Sequence, residues 1–303
     1  MAAPRSLDHA PLGDRLRAAL RRSAPGRAWY RHRRNRMADA YVLSFPKTGR
    51  TWLRLLLGKA IATHHQLTNE GDDADLLELD RLADRLPDLP RIRFKHDDNP
   101  HFKTPAELVT RKTEYADRPV VFLVRDPRDT AVSAYHQLTK REARYRFDGS
   151  LEQFLDCPRG SVATMLRFYN LWHAERDTPK RFLLVRYEDL HADTAGQLRR
   201  VTDFLELGDM TGDTLAAAVD FARFDNMRRM EQKASQRDTT GGNARLAATD
   251  PNDPTTFKTR SGKIGDFAKH MPPAIADALT QRVRDELDPS YGYPCEATTN
   301  TPV

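Results

Sequence analysis

Two short apolar runs constrain this chain more than anything else in it. Pro119-Val120-Val121-Phe122-Leu123-Val124 has no polar position, and Ala40-Tyr41-Val42-Leu43-Ser44-Phe45 has one. A strand with one wet face alternates apolar and polar side chains. A strand without that alternation is buried on both faces, as in a parallel sheet covered by helices on either side. Arg181-Phe182-Leu183-Leu184-Val185 repeats the pattern, and Ile92 and Phe94, alternating with Arg91, Arg93 and Lys95, make a shorter strand ending at His96. Helical stretches separate them: residues 52–61, apolar nearly all round; 129–138; 151–155, opened by the capping pair Ser150 and Gln153; 162–175; and a segment whose Leu198, Val201, Phe204 and Leu205 share a face. Strands separated by helices imply βαβ units, so the expected fold is α/β, three layers around a central parallel sheet.

The 303 residues carry a net charge of +6, unevenly spread. Residues 1–36 hold ten arginines against two aspartates, a net +8, which leaves the remainder near −2. The expected organisation is therefore a basic arm over 1–36 and a nearly neutral body over 37–303, with 232–254 a lid-like loop, rich in Asp, Thr, Gly, Asn and Pro and without periodicity. The arm suits an anionic membrane surface; the plainer reading is a solvated basic helix around residues 12–22, and no specific nucleic acid is expected. Cys157 and Cys295 stand far apart, which excludes a disulfide framework and a zinc knuckle, and the adjacent His64 and His65 point in different directions along a helix, so no metal is expected. Without a spanning segment or a signal-like h-region the chain reads as cytoplasmic.

Three clusters carry chemistry. Pro46-Lys47-Thr48-Gly49-Arg50-Thr51-Trp52 joins the first strand to its helix, where backbone N–H groups, the helix dipole and a lysine make an anion cradle. It is not the nucleotide-triphosphate loop, because the lysine precedes the glycine. In Arg125-Asp126-Pro127-Arg128-Asp129, followed by Ser133, a guanidinium stands where a buried strand emerges and a hydroxyl follows eight residues on. A structural salt bridge of Arg125 or Arg128 with Asp126 or Asp129 accounts for those residues equally well. Arg260-Ser261-Gly262-Lys263-Ile264-Gly265-Asp266-Phe267 sets two glycines among cations. Taken singly, each signal is weak.

In this order and spacing the three resemble the sulfotransferase family that uses 3′-phosphoadenosine 5′-phosphosulfate (PAPS). Residues 183–190 and 224–231 also look like that family, and the likeness runs from about 39 to 290, leaving the arm outside. The resemblance implies a P-loop-like fold, PAPS as donor and 3′-phosphoadenosine 5′-phosphate (PAP) as product. It implies that Lys47, Thr48, Gly49, Arg50, Thr51 and Trp52 hold the phosphosulfate end, that Arg125, Ser133, Arg260, Ser261 and Gly262 hold the 3′-phosphate, and that Tyr187 and Phe224 frame the base. Lys47 would also act in catalysis. The family's general base is a histidine at a strand end, which makes His96 the candidate, with Asp97 or Asp98 to orient it or raise its pKa, and His101 the second choice. Arg50, Arg223 and Ser261 depart from the family's usual Thr, Ser and Lys, and the dimerisation segment of cytosolic members has no match around Ala268, Pro272 and Pro273.

The expected reaction is sulfuryl transfer to a hydroxyl of a small molecule, lipid or saccharide, in preference to an amine. The rivals are an ATP-using P-loop kinase and a nucleic-acid or membrane binder acting through the arm. The lysine placement weighs against the kinase, as does a strand that ends in Arg125 where a magnesium-binding carboxylate would be needed. Phe154, Phe168, Tyr169 and Trp172 are assigned to core packing ahead of an acceptor pocket.

Overall fold

The computed structural model describes residues 38–67, 73–141, 146–236, 246–250 and 252–294. The apolar runs form the sheet. Strand β1 (Ala40–Ser44) is buried at all five positions, and helix α1 (Arg50–His64) follows it. A short helix α2 (Leu79–Arg85) leads to β2 (Ile92–Lys95), then β3 (Pro119–Val124) and helix α3 (Pro127–Lys140). Helices α4 (Leu151–Leu155) and α5 (Val162–Ala174) precede β4 (Arg181–Arg186). Helices α6 (Tyr187–Ala192), α7 (Thr194–Phe204), α8 (Gly212–Phe221), α9 (Phe224–Ser235) and α10 (Pro273–Glu286) complete the chain.

All strand pairings are parallel, in the order β2-β1-β3-β4, with Val42 opposite both Phe94 and Val121 and Val124 opposite Arg186. The doubly buried strands give two cores. On one face Ala40, Val42, Val121, Leu123 and Val185 pack with α1, α2, α7, α8 and α9. On the other, Tyr41, Leu43, Phe45, Val120, Phe122 and Val124 pack with residues of α3, α5 and α10. These are the three layers expected. Phe154, Phe168, Tyr169 and Trp172 are fully buried, as core packing requires.

Because β1 is followed by β2 on one side of it and β3 lies on the other, the chain reverses direction across the sheet between β1 and β3. The carboxyl ends of these two strands flank the crevice where open α/β sheets bind ligands.

Several boundaries differ from the sequence reading. Helix α1 begins at Arg50, so Arg50 and Thr51 belong to its first turn. Gln232–Ser235 is the last turn of α9 and not loop, because buried Met227, Met230, Glu231 and Ala234 keep the helical face going. Of the remaining loop, 237–245 and 251 lie outside the described residues, as do the arm and Cys295. Leu246 is buried, and the Ala248 N–H donates to Ser235 Oγ at 2.8 Å. Among the described residues no helix is long and apolar enough to cross a membrane.

Candidate active site

The loop after β1 is shaped by two left-handed residues, Lys47 (φ 72°) and Gly49 (φ 92°). A non-glycine residue there is uncommon and needs its surroundings to hold it. The Thr48 hydroxyl is turned inward, donating to the Phe45 carbonyl at 3.1 Å, and Thr48 is fully buried. Lys47 Nζ donates to Gln137 Oε1 of α3 at 3.3 Å. Loss of solvent and the neighbouring Arg141 push its pKa down to about 8. Gly49 is required for a second reason: a Cβ there would lie 2.5 Å from Tyr187 Cδ2. Gly262 (φ 68°) repeats this, its virtual Cβ 2.8 Å from Phe224 Cδ2. Two aromatic rings thus lie against backbone that only glycine can supply. Tyr187 also stands edge-on to Trp52, whose indole N–H donates to the Ala222 carbonyl at 3.1 Å.

The second cluster emerges from β3. Arg125 stacks over the Tyr187 ring at 4.5 Å and donates to the Lys263 carbonyl at 3.0 Å. The salt-bridge reading of this segment is realised as well, by Arg128 with Asp126 at 2.7 Å and, more loosely, Arg125 with Asp129 at 3.5 Å. Buried Asp129 does more: its carboxylate accepts from the backbone N–H groups of Gly265 and Phe267 at 2.8 and 3.0 Å, tying the third cluster to the first turn of α3. Glu231 holds the other end of that segment by accepting from the N–H groups of Lys258 and Thr259 and from the Thr259 hydroxyl. Burial raises the pKa of both carboxyl groups.

A cleft of about 490 Å³ collects these elements at the carboxyl end of the sheet, within the usual size of small-ligand sites. Of the residues singled out in the sequence, Lys47, Gly49, Arg50, Thr51, Trp52, His96, Arg125, Ser133, Tyr187, Phe224 and Gly262 line it. Arg260 lines an adjoining recess with Lys47, Ser133 and Arg141, its guanidinium 3.2 Å from His270 Nε2. Ser261 turns its hydroxyl to Asp266 at 2.8 Å and lines neither.

His96 sits where β2 ends. Its Nδ1 is 2.9 Å from the Ser44 carbonyl oxygen, so the Nδ1–H donates there and Nε2 is left as the ring's acceptor. Burial and the Arg50 guanidinium hold its pKa well below the usual 6.5. The carboxylates expected to serve it are committed elsewhere. Asp97 accepts from Lys112 at 2.7 Å, the Tyr115 hydroxyl at 2.6 Å and the Trp172 indole at 3.2 Å; Asp98 accepts from Lys103 and the Val109 N–H. Orientation comes from the backbone of β1 instead, and the pKa moves down rather than up. His101 also lines the cleft, its ring 5.6 Å from that of His96; burial and Arg50 lower its pKa to about 4.

Lys258 was missed by sequence reasoning. It stands two residues before the third cluster, lines the cleft, and has its pKa lowered to about 7 by burial and by Arg141. Gln137 and Arg141 were missed too, since one lies in the last turn of α3 and the other just after it, outside the motif residues.

An α/β sheet with cationic residues at its switch point, a second cationic cluster across the crevice and a backbone-oriented histidine is a site suited to an anionic ligand. The chain belongs to the sulfotransferase family: the family's sulfotransferase domain matches residues 38–290. It is 24% identical over 260 residues to the amine sulfotransferase of Oryctolagus cuniculus, covering 82% of this chain and 80% of that one. It is 25% identical over 257 residues to cytosolic sulfotransferase 17 of Arabidopsis thaliana, covering 78% and 70%. The fold matches the crystal structure of mouse sulfotransferase SULT7A1 complexed with PAP, with a TM-score of 0.54 at 19% identity over 82% of this chain and 84% of that one.

Proposed function

We propose that this sulfotransferase draws its sulfuryl group from PAPS and delivers it to a hydroxyl of a small-molecule, lipid or saccharide acceptor, with His96 as general base. The observation that carries the reading is one cleft that gathers Lys47, Gly49, Arg50, Thr51 and Trp52 of the cradle with Arg125, Ser133, Tyr187, Phe224 and His96. PAPS carries anionic groups at the 3′ and 5′ positions of a ribose that also bears the adenine base. Lys47, Arg50 and the N–H groups of 48–52 suit the phosphosulfate. Arg125, Ser133 and the segment 260–262, including Arg260, Ser261 and Gly262 through side chain or backbone, suit the 3′-phosphate. Trp52, Tyr187 and Phe224 suit the adenine between them.

In the reaction the acceptor oxygen bonds to sulfur, the bond from sulfur to the 5′-phosphate oxygen breaks, and the hydroxyl proton passes to His96 Nε2. Catalysis is then positioning plus charge stabilisation, as in phosphoryl transfer. Lys47 neutralises charge on the leaving phosphate; one such donor is typically worth about 3 kcal/mol.

The donor is tested by thermal unfolding. PAP is expected to raise Tm clearly and AMP, which lacks the 3′-phosphate, much less. Equal shifts, or a larger one with ATP and magnesium, would overturn the assignment of the two cationic clusters.

A further inference from the structure

The residue after the candidate base carries a buried charge that the reaction does not use. The Asp97 carboxylate accepts from Lys112 Nζ at 2.7 Å, the Tyr115 hydroxyl at 2.6 Å and the Trp172 indole N–H at 3.2 Å, and all four side chains are buried. The Lys112 ammonium also donates to the Val109 carbonyl at 2.8 Å and lies over the Trp172 ring at 5.2 Å. Burial and the Asp97 charge push the Tyr115 pKa up, so its hydroxyl stays a donor. One carboxylate thus joins the end of β2 to the segment leading into β3 and to α5. A buried ion pair is poor evidence for stability, because desolvation offsets most of the attraction; what a fully satisfied one supplies is a single defined arrangement. Here there is strained backbone to hold. Directly after Asp97, Asp98 and Asn99 are both left-handed, with φ 60° and 51°, a conformation that persists at successive non-glycine residues only where the surroundings impose it. Asp98 accepts from Lys103 and the Val109 N–H, and the Asn99 N–H donates back to the His96 carbonyl at 3.2 Å. This turn brings both His96 and His101 to the cleft. The His96 ring is held at Nδ1 by the Ser44 carbonyl at 2.9 Å, a bond that survives only while the backbone of residue 96 keeps its place.

We propose that Asp97 is a positioning residue for the general base: through Lys112, Tyr115 and Trp172 it fixes the backbone after β2, keeping His96 Nδ1 on the Ser44 carbonyl and Nε2 available to the acceptor hydroxyl. This rests on the assignment of His96 as base and deepens it. Asp97 touches neither donor nor acceptor and exchanges no proton with the imidazole; its effect passes through the peptide unit that joins it to His96. Small displacements matter there, because proton transfer requires the two heavy atoms to come within about 3 Å.

The tautomer of His96 is the test, read by NMR of the full-length protein labelled with ¹⁵N at histidine, with the His96 signals identified by their loss in His96→Ala. At neutral pH the wild-type ring is expected in the Nδ1–H form. Asp97→Asn turns an amide N–H₂ toward one of the three donors, and at least about half of the Nδ1–H population should pass to the Nε2–H form. His136 and His270, whose rings meet at 5.7 Å away from this turn's contacts, should be unchanged. Tyr115→Phe removes one hydrogen bond and leaves the ion pair; it should move the tautomer the same way by less, and it decides the question where Asp97→Asn does not fold. An unchanged His96 tautomer in the deciding variant, or an equal disturbance of all three histidines, would make Asp97 a general anchor of the fold and overturn the proposal. The spectra need neither donor nor acceptor, so this failure is distinct from that of the base assignment, which normal turnover by His96→Ala would overturn with the tautomer still fixed.

Discussion

His96 gains its proposed chemistry from two neighbours with opposite effects. The Ser44 carbonyl fixes the tautomer that leaves Nε2 free to accept a proton, while Arg50 and burial keep the ring neutral. A depressed pKa weakens a base but guarantees that it is unprotonated through the neutral range. The acid limb of kcat/KM for the free enzyme is therefore expected below pH 6.5. The same shift has a stability consequence. As pH falls below 6.5 the unfolded chain takes up a proton at His96 that the folded chain refuses, so stability drops until the folded pKa is reached. His96→Ala should lower kcat by about 10² or more while the Tm shift with PAP stays near wild type. If His101→Ala is the inactive variant and His96→Ala turns over normally, the base is five residues further on. The sequence marked His96 by its place at a strand end. Its partner was hidden because Ser44 lies 52 residues away and meets it only through the pairing of β1 with β2.

Buried carboxylates bind the proposed 3′-phosphate element to the rest of the molecule. Asp129 at the start of α3 and Glu231 on α9 each accept backbone N–H groups from one end of residues 258–267. Losing a charge-assisted hydrogen bond to a buried carboxylate costs about 1–3 kcal/mol. Asp129→Asn keeps one acceptor and turns an amide N–H₂ toward the other donor. PAP affinity is expected to fall fivefold or more, with Tm lowered by a few degrees. A lower Tm with unchanged PAP affinity would separate this segment from the 3′-phosphate. Elements were legible where burial left an unambiguous pattern: all four strands, α1, α3, α4, α5 and α7. Helix α2 is too short to show periodicity, α8 opens on Gly212 and runs through three alanines, and α10 is capped by Pro272 and starts at Pro273, two prolines the sequence reading weighed only as a departure. The glycine pattern was visible as motif, whereas its cause, a tyrosine against Gly49 and a phenylalanine against Gly262, depends on residues 138 and 38 positions away and emerges only from packing.

At the scale of the whole molecule, positive charge is concentrated in two places: the cleft, and residues 1–36, whose net +8 lies outside both the family match and the described residues. The two have different consequences. Cationic side chains in the cleft are partly shielded from solvent, so salt screens them weakly, whereas arginines in water are screened with a Debye length of about 8 Å at physiological ionic strength. We propose that the arm is an accessory tether to an anionic membrane surface and that residues 37–303 carry sulfuryl transfer. Each arginine brought to such a surface contributes about 1 kcal/mol, so even partial engagement of ten would hold the enzyme there at low salt. Trp29 and Tyr30 provide the competing possibility, since aromatic side chains within the arm would equally serve to pack it onto the body. Co-sedimentation with phosphatidylserine-containing vesicles separates the two. Full-length protein should pellet at low salt and be released at high salt, and a chain beginning at Met37 should stay in solution while retaining its Tm shift with PAP. Sedimentation that is absent or insensitive to salt, or a shortened chain that fails to fold, would make the arm part of the folded body and remove the tether.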